Sequence, residues 1–109
     1  VTLNDLTQPL QLNDTTQLKA VFDPALRCFS AQLWKGGEPV GLLGLVDQFT
    51  HPDDVLDAVD EFLTEHDESP LTEQQMGRFG GMLIMAKGGP DAAMLQIAIK
   101  DPSSFRPLF

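Results

Sequence analysis

His51 and His66 are the two histidines of the chain, and imidazole is the side chain best suited to proton transfer or metal ligation near neutral pH. They stand fifteen residues apart. On one helix that separation is roughly 20 Å, too far to share a metal ion or a proton. Glu65, His66 and Asp67 are ligand types, but neighbours on a helix point to different sides. Asp53, Asp54 and Asp57 would attract a cation, yet they lack the D-x-D-x-D-G spacing of a calcium loop. Cys28, the single cysteine, has Arg27 beside it and no neighbouring base to make it a nucleophile, so it reads as a half-buried structural thiol. Ser30 and Ser69 have no elbow motif around them. Gly37, Gly41 and Gly44 do not form a phosphate-cradling loop, since no Lys-Ser/Thr follows and no helix is expected there. These residues point away from an enzyme. No catalytic residue, metal or cofactor is expected.

Charge carries more information. The chain has 109 residues and a net charge of −9, and ten of its sixteen acids lie between Asp47 and Glu73, a stretch without Lys or Arg. A localised charge is a surface with a direction. It disfavours direct contact with nucleic acid or an anionic membrane, both of which need clustered cations. Without cations at i,i+4 the acids repel one another, so the face is either simple solvation or a docking surface for something basic.

The elements that would position these groups form one α+β domain over residues 1–109. Leu10 and Leu12 before Asn13-Asp14-Thr15-Thr16 read as a short strand entering a turn. Residues 17–22 alternate, as do residues 26–35, where Phe29, Ala31 and Leu33 share one face and Cys28, Ser30, Gln32 and Trp34 the other. Gly36-Gly37 reverses the chain into an apolar strand over 40–46. A helix follows, with Thr50 as N-cap, Asp53 as its capping-box partner and Pro52 in the first turn. Val55, Leu56, Val59, Phe62 and Leu63 form its apolar side, and Asp53, Asp54, Asp57, Asp60, Glu61 and Glu65 its acidic side. Beyond Ser69-Pro70, residues 71–79 form a short helix or a loop. A longer helix would enclose Gly77, Gly80 and Gly81 at about 1 kcal/mol each relative to alanine. Strands are therefore expected at 82–87 and 93–100. The result is an antiparallel sheet of about five strands, in β-β-β-α-β-β order, packed on one amphipathic acidic helix.

This layout resembles the type III secretion chaperones of bacterial cytoplasm. The residues that carry the resemblance are Leu10-Gln11-Leu12-Asn13-Asp14 with Leu18-Lys19-Ala20-Val21-Phe22-Asp23, similar to the family's first hairpin, and Arg78-Phe79-Gly80-Gly81-Met82-Leu83 with residues 93–100, similar to its last. The family's long first helix and its closing helix have no counterpart in residues 1–9 or after residue 101. The resemblance implies a cytoplasmic homodimer that holds a partly unfolded segment of a secreted effector by adding strands and filling pockets. By position, Phe22, Phe29, Leu33 and Trp34 would touch the segment, and Met85, Met94 and Ile97 would serve the dimer or the core. A lone cysteine, and the absence of both a signal-peptide pattern and an apolar run of about 20 residues, agree with that compartment. The competing expectation is an inhibitor or immunity-type protein whose acidic face masks a basic site on a nuclease, toxin or nucleic-acid-binding protein.

Overall fold

Leu18, Ala20 and Phe22 alternate with Gln17, Lys19 and Val21, and in the computed structural model this period of two becomes a strand with one face buried. The structure describes residues 6–44 and 49–100. Four strands, β1 (Leu10–Gln11), β2 (Thr16–Asp23), β3 (Cys28–Lys35) and β4 (Glu38–Leu43), form an antiparallel meander in that order. Pairing sets Leu18 opposite Leu33, Ala20 opposite Ala31 and Phe22 opposite Phe29 on the inner face. Gln17 opposite Trp34, Lys19 opposite Gln32 and Val21 opposite Ser30 make the outer face. Asp23 Oδ1 accepts the Ala25 and Leu26 N–H groups and so closes the β2–β3 turn. Gly36 and Gly37 close the next one with positive φ. Beyond Gly44 the expected strand over 40–46 passes into residues outside the described set, and Phe49 returns to accept the Phe29 N–H at 2.7 Å.

Three helices follow: α1 (Pro52–Glu65), α2 (Glu73–Lys87) and α3 (Gly89–Lys100). The α+β class with an antiparallel sheet holds, but the order does not. Four strands precede three helices, in place of about five strands around one helix, and the segments 82–87 and 93–100 are helical. The segment that resembled the chaperones' last hairpin is therefore α2 and α3.

Two physical reasons account for this. The Thr72–Gln75 capping box fixes the start of α2: Thr72 Oγ1 accepts the Gln75 N–H at 3.1 Å and Gln75 Oε1 accepts the Thr72 N–H at 2.9 Å. The glycines that weighed against a long helix are needed by packing. A Cβ on Gly81 would stand 2.9 Å from Leu6 Cδ2, and one on Gly80 3.3 Å from Leu56 Cδ1. Gly77 meets nothing and carries only the propensity cost. Phe79, Met82 and Leu83 are buried on the side of α2 that faces the core. In α3 the apparent alternation separates into two sides: Leu95 and Ile99, four apart, pack on the core, while Met94 and Ile97 face out.

The first helix differs at its start. His51 is the N-cap and makes no side-chain cap bond, so the expected Thr50–Asp53 box is absent; Pro52 still opens the helix. Its stripe packs as its spacing requires, with Val55, Val59, Phe62 and Leu63 buried. α1 lies against β3 and β4 and α2 against β2, on one face of the sheet. Among the described residues no helix is long and apolar enough to cross a membrane.

Candidate functional site

β1 is short, and among the described residues no strand pairs with β2 beyond it. Among the described residues β1 pairs with β2 only at Leu10–Leu18 and Gln11–Gln17. The chain before it turns away from the sheet: Leu6 and Thr7 are helical, and Leu6 is buried against Gly81 of α2. The direction of the backbone groups on β2 follows from the ladder. In an antiparallel strand the N–H and C=O of one residue point to the same side, and sides alternate. The Thr16 carbonyl accepts the Leu12 N–H at 2.9 Å, which places Thr16, Leu18, Ala20 and Phe22 on the β1 side. The Phe29 N–H turns toward Phe49, so Phe22–Phe29 is a pair without mutual hydrogen bonds, in agreement. Ala20 and Phe22 thus direct an N–H and a C=O each past the end of β1, where no described strand pairs with them.

Beside this edge lies a groove of about 310 Å³. Ala20 and Lys19 form its sheet side, Met82, Met85 and Ala86 its α2 side, and residues 6–9 one end. Two methionines make an adaptable apolar wall, since an unbranched thioether repacks around different shapes. The groove can receive an apolar side chain while the strand edge offers backbone hydrogen bonds.

The residues expected from sequence to touch a partner do not form one surface. Phe29 and Leu33 are fully enclosed in the core and cannot reach a partner, because the helices cover the face they share. Phe22 is half-buried and lies tilted on Phe29 with ring centroids 4.9 Å apart. Trp34 is on the opposite face, where Lys19 Nζ sits 3.8 Å above its ring and the indole N–H donates to Gln32 Oε1. Met85 lines the groove and packs partly on the core. Met94 and Ile97 are not core; they are 55% and 50% exposed on α3.

The acidic face divides as well. Asp53, Asp54, Asp57, Glu61 and Glu65 are exposed. Asp60 is half-buried and its Oδ1 accepts the Leu71 N–H at 2.9 Å, so it ties the α1–α2 connection in place. Glu68 is spoken for too, by Lys35 at 2.9 Å and by Asn13 Nδ2 at 3.1 Å. Lys35 Nζ also donates to the His66 carbonyl, a cation satisfying the end of α1 where its dipole is negative. The acidic segment has no cation of its own, and β3 supplies one. Lys35→Met is expected to lower stability by about 1–2 kcal/mol, because it leaves Glu68, only 13% exposed, without its cation and α1 without that donor. A urea titration would measure this as a lower midpoint at unchanged slope.

The groups that suggested chemistry lie apart. His66 Nδ1 is 2.9 Å from the Phe62 carbonyl, and its ring rests on Phe62 and against Gly41, where a Cβ would come within 2.6 Å of Nε2. His51 is exposed at the other end of α1. Cys28 is buried with its thiol donating to the Leu26 carbonyl. Among the described residues no three His, Cys, Asp or Glu side chains converge as a metal site would require. Comparison of the chain with protein-family models, curated proteins and solved structures finds no match.

Proposed function

We propose that this chain is a binding protein that holds an extended, apolar segment of a protein partner. The observation that carries this reading is the edge of β2 at Ala20 and Phe22, unpaired among the described residues, beside the Met82–Met85 groove. An unpaired strand edge with an apolar pocket along it has the two components of strand addition: main-chain hydrogen bonds for affinity, pockets for alternate side chains. It is the role implied by the resemblance to secretion chaperones, in which the segment belongs to an effector and the binding protein is a cytoplasmic homodimer. The hairpin β1–β2 occupies the residues that carried the first half of that resemblance.

A second reading rests on the five exposed acids of α1, Asp53, Asp54, Asp57, Glu61 and Glu65, which suit an inhibitor that covers a basic site. One experiment separates the two. Peptides would be selected from a random display library against the full chain, and their binding measured at low and high salt. The segment reading expects apolar, alternating sequences whose binding is nearly independent of salt. Enrichment of Lys and Arg, with binding that collapses as salt rises, would sink it in favour of the acidic-face reading.

A further inference from the structure

Independently of the segment-binding reading, we infer that the chain closes a covalent cross-link between Lys35 and Asn13, with Glu68 as the catalytic group. The three side chains come from three places that meet at one end of the fold: the β1–β2 turn, the end of β3 and the α1–α2 connection. One carboxylate holds both reactants. Glu68 Oε2 is 2.9 Å from Lys35 Nζ, and Glu68 Oε1 accepts from Asn13 Nδ2 at 3.1 Å. An amine, a carboxamide and a carboxylate shared between them are the parts of an amide exchange: nucleophile, acyl group, and a base that becomes an acid. The carboxamide is also polarised. Its Oδ1 accepts the Thr15 N–H at 3.1 Å and the Thr15 Oγ1 hydroxyl at 3.2 Å, two donors on the atom where negative charge develops during attack. Lys35 Nζ has a second anchor in the His66 carbonyl at 2.9 Å, which holds the amine in place. An Asx turn accounts for the Thr15 contacts and an ion pair for Lys35; Glu68, only 13% exposed, is what joins the two.

The reaction balances within these groups. A proton passes from the Lys35 ammonium to Glu68. The freed Nζ lone pair attacks Asn13 Cγ, and the carbonyl π pair moves to Oδ1, where the two Thr15 donors receive it. Glu68 gives its proton to Nδ2 and takes one from the attacking nitrogen. The Cγ–Nδ2 bond then breaks with its electron pair on nitrogen, and the carbonyl re-forms. Glu68 passes its remaining proton to the released ammonia, which leaves as ammonium. Nothing is oxidised or reduced, and no cofactor enters. Attack requires Nζ within about 3–3.5 Å of Cγ, and rotation of the long Lys35 side chain supplies the approach. Two groups anchored on one carboxylate replace a bimolecular encounter, and well-oriented pairs reach effective molarities of about 10⁵ M or more. The product ties the β1–β2 turn to the end of β3, restricting the unfolded chain as a disulfide does.

Mass spectrometry of the intact full chain tests this. The cross-linked chain is expected about 17 Da below the mass of its sequence, the mass of one ammonia, in a fraction that grows as the folded protein is incubated. Trypsin should then release residues 1–19 joined to residues 28–78, because an acylated Lys35 no longer directs cleavage. Lys35→Arg keeps a cation for Glu68 but offers no nucleophilic amine, and it should hold the mass of its own sequence. Glu68→Gln should do the same. Thr15→Val, which removes one of the two donors on Oδ1, should slow the loss at least tenfold. Circular dichroism identifies the variants that are folded; where Glu68→Gln is not, Lys35→Arg and Thr15→Val still decide. A parent chain that stays at its sequence mass after prolonged incubation overturns the cross-link. So does a loss of about 17 Da that persists in Lys35→Arg, since the Asn13 carboxamide would then be closing on its own backbone.

Discussion

Met85→Glu is expected to weaken capture of an apolar segment a hundredfold or more and to leave the chain folded. Met85 is half-buried, forms part of the α2 side of the groove and touches the core with only part of its side chain. In the free protein a glutamate there can turn its carboxylate to water. With a segment bound the carboxylate is enclosed by apolar groups and has no partner, and a buried unpaired charge costs several kcal/mol. A hundredfold loss corresponds to about 2.7 kcal/mol, within that range. Met85→Leu, of similar volume and polarity, should bind within about threefold of the parent. The companion variant reverses Asp53, Asp57, Glu61 and Glu65 to lysine and spares Asp60, whose carboxylate holds the Leu71 N–H. That variant should change peptide binding by less than about twofold, because these acids face solvent on the side of α1 away from the sheet. Fluorescence anisotropy with one labelled peptide measures all three. If the reversal abolishes binding and Met85→Glu does not, the groove is not the site.

The hairpins and α1 were legible because in them a single period decides burial. Leu18, Ala20 and Phe22 in β2 and Val55, Val59, Phe62 and Leu63 in α1 are each read correctly from spacing alone. The second half was not legible for the opposite reason. Leu95, Ile97 and Ile99 alternate by identity, but they lie on a helix whose inner side is set by Leu95 and Ile99. Gly80 and Gly81 look like helix breakers until Leu6 and Leu56 are seen to occupy the space a methyl would need. The Thr72-x-x-Gln75 signal was present in the sequence and marks the start of α2 correctly; reading it would have favoured the longer helix.

The candidate site was hidden by the same error. Its wall is a helix in a region expected to be a strand, and its edge exists because residues 6–9 leave β2. The helix has a local signal in the Thr72-x-x-Gln75 box; the departure of residues 6–9 from β2 depends on the packing of Leu6 against Gly81. Choosing large apolar residues of β2 and β3 as contacts selected Phe29 and Leu33, the residues the core most needs. A small residue, Ala20, marks the groove instead, since a larger side chain there would fill it. The acidic segment shows a similar limit. Its exposed and its structural members have the same composition, and only the positions of Lys35 and Leu71 tell them apart.

Truncating Phe79 to alanine is expected to cost about 3–5 kcal/mol, the largest stability effect of any single change considered. Phe79 is fully enclosed and stands in α2, the helix that packs on β2, on α1 and on α3. Removing the ring withdraws apolar surface and leaves a cavity that the neighbouring elements cannot close without moving against the sheet. Domains of this size have about 5–15 kcal/mol in total, so the variant would lose from about a fifth to all of its stability. Each kcal/mol corresponds to roughly 4–8 °C in melting temperature for a domain of about 60–100 residues, which puts the expected drop well above 10 °C. Met94→Ala provides the contrast. Met94 is 55% exposed on α3, and its truncation in the isolated chain should fall within about 0.5 kcal/mol. Calorimetry on the two variants tests whether α2 seats the helical layer. A mild effect at Phe79 would mean that α2 is not fixed against β2, and the groove between them would lose its wall. A large effect at Met94 would mean that the outer side of α3 is covered in solution.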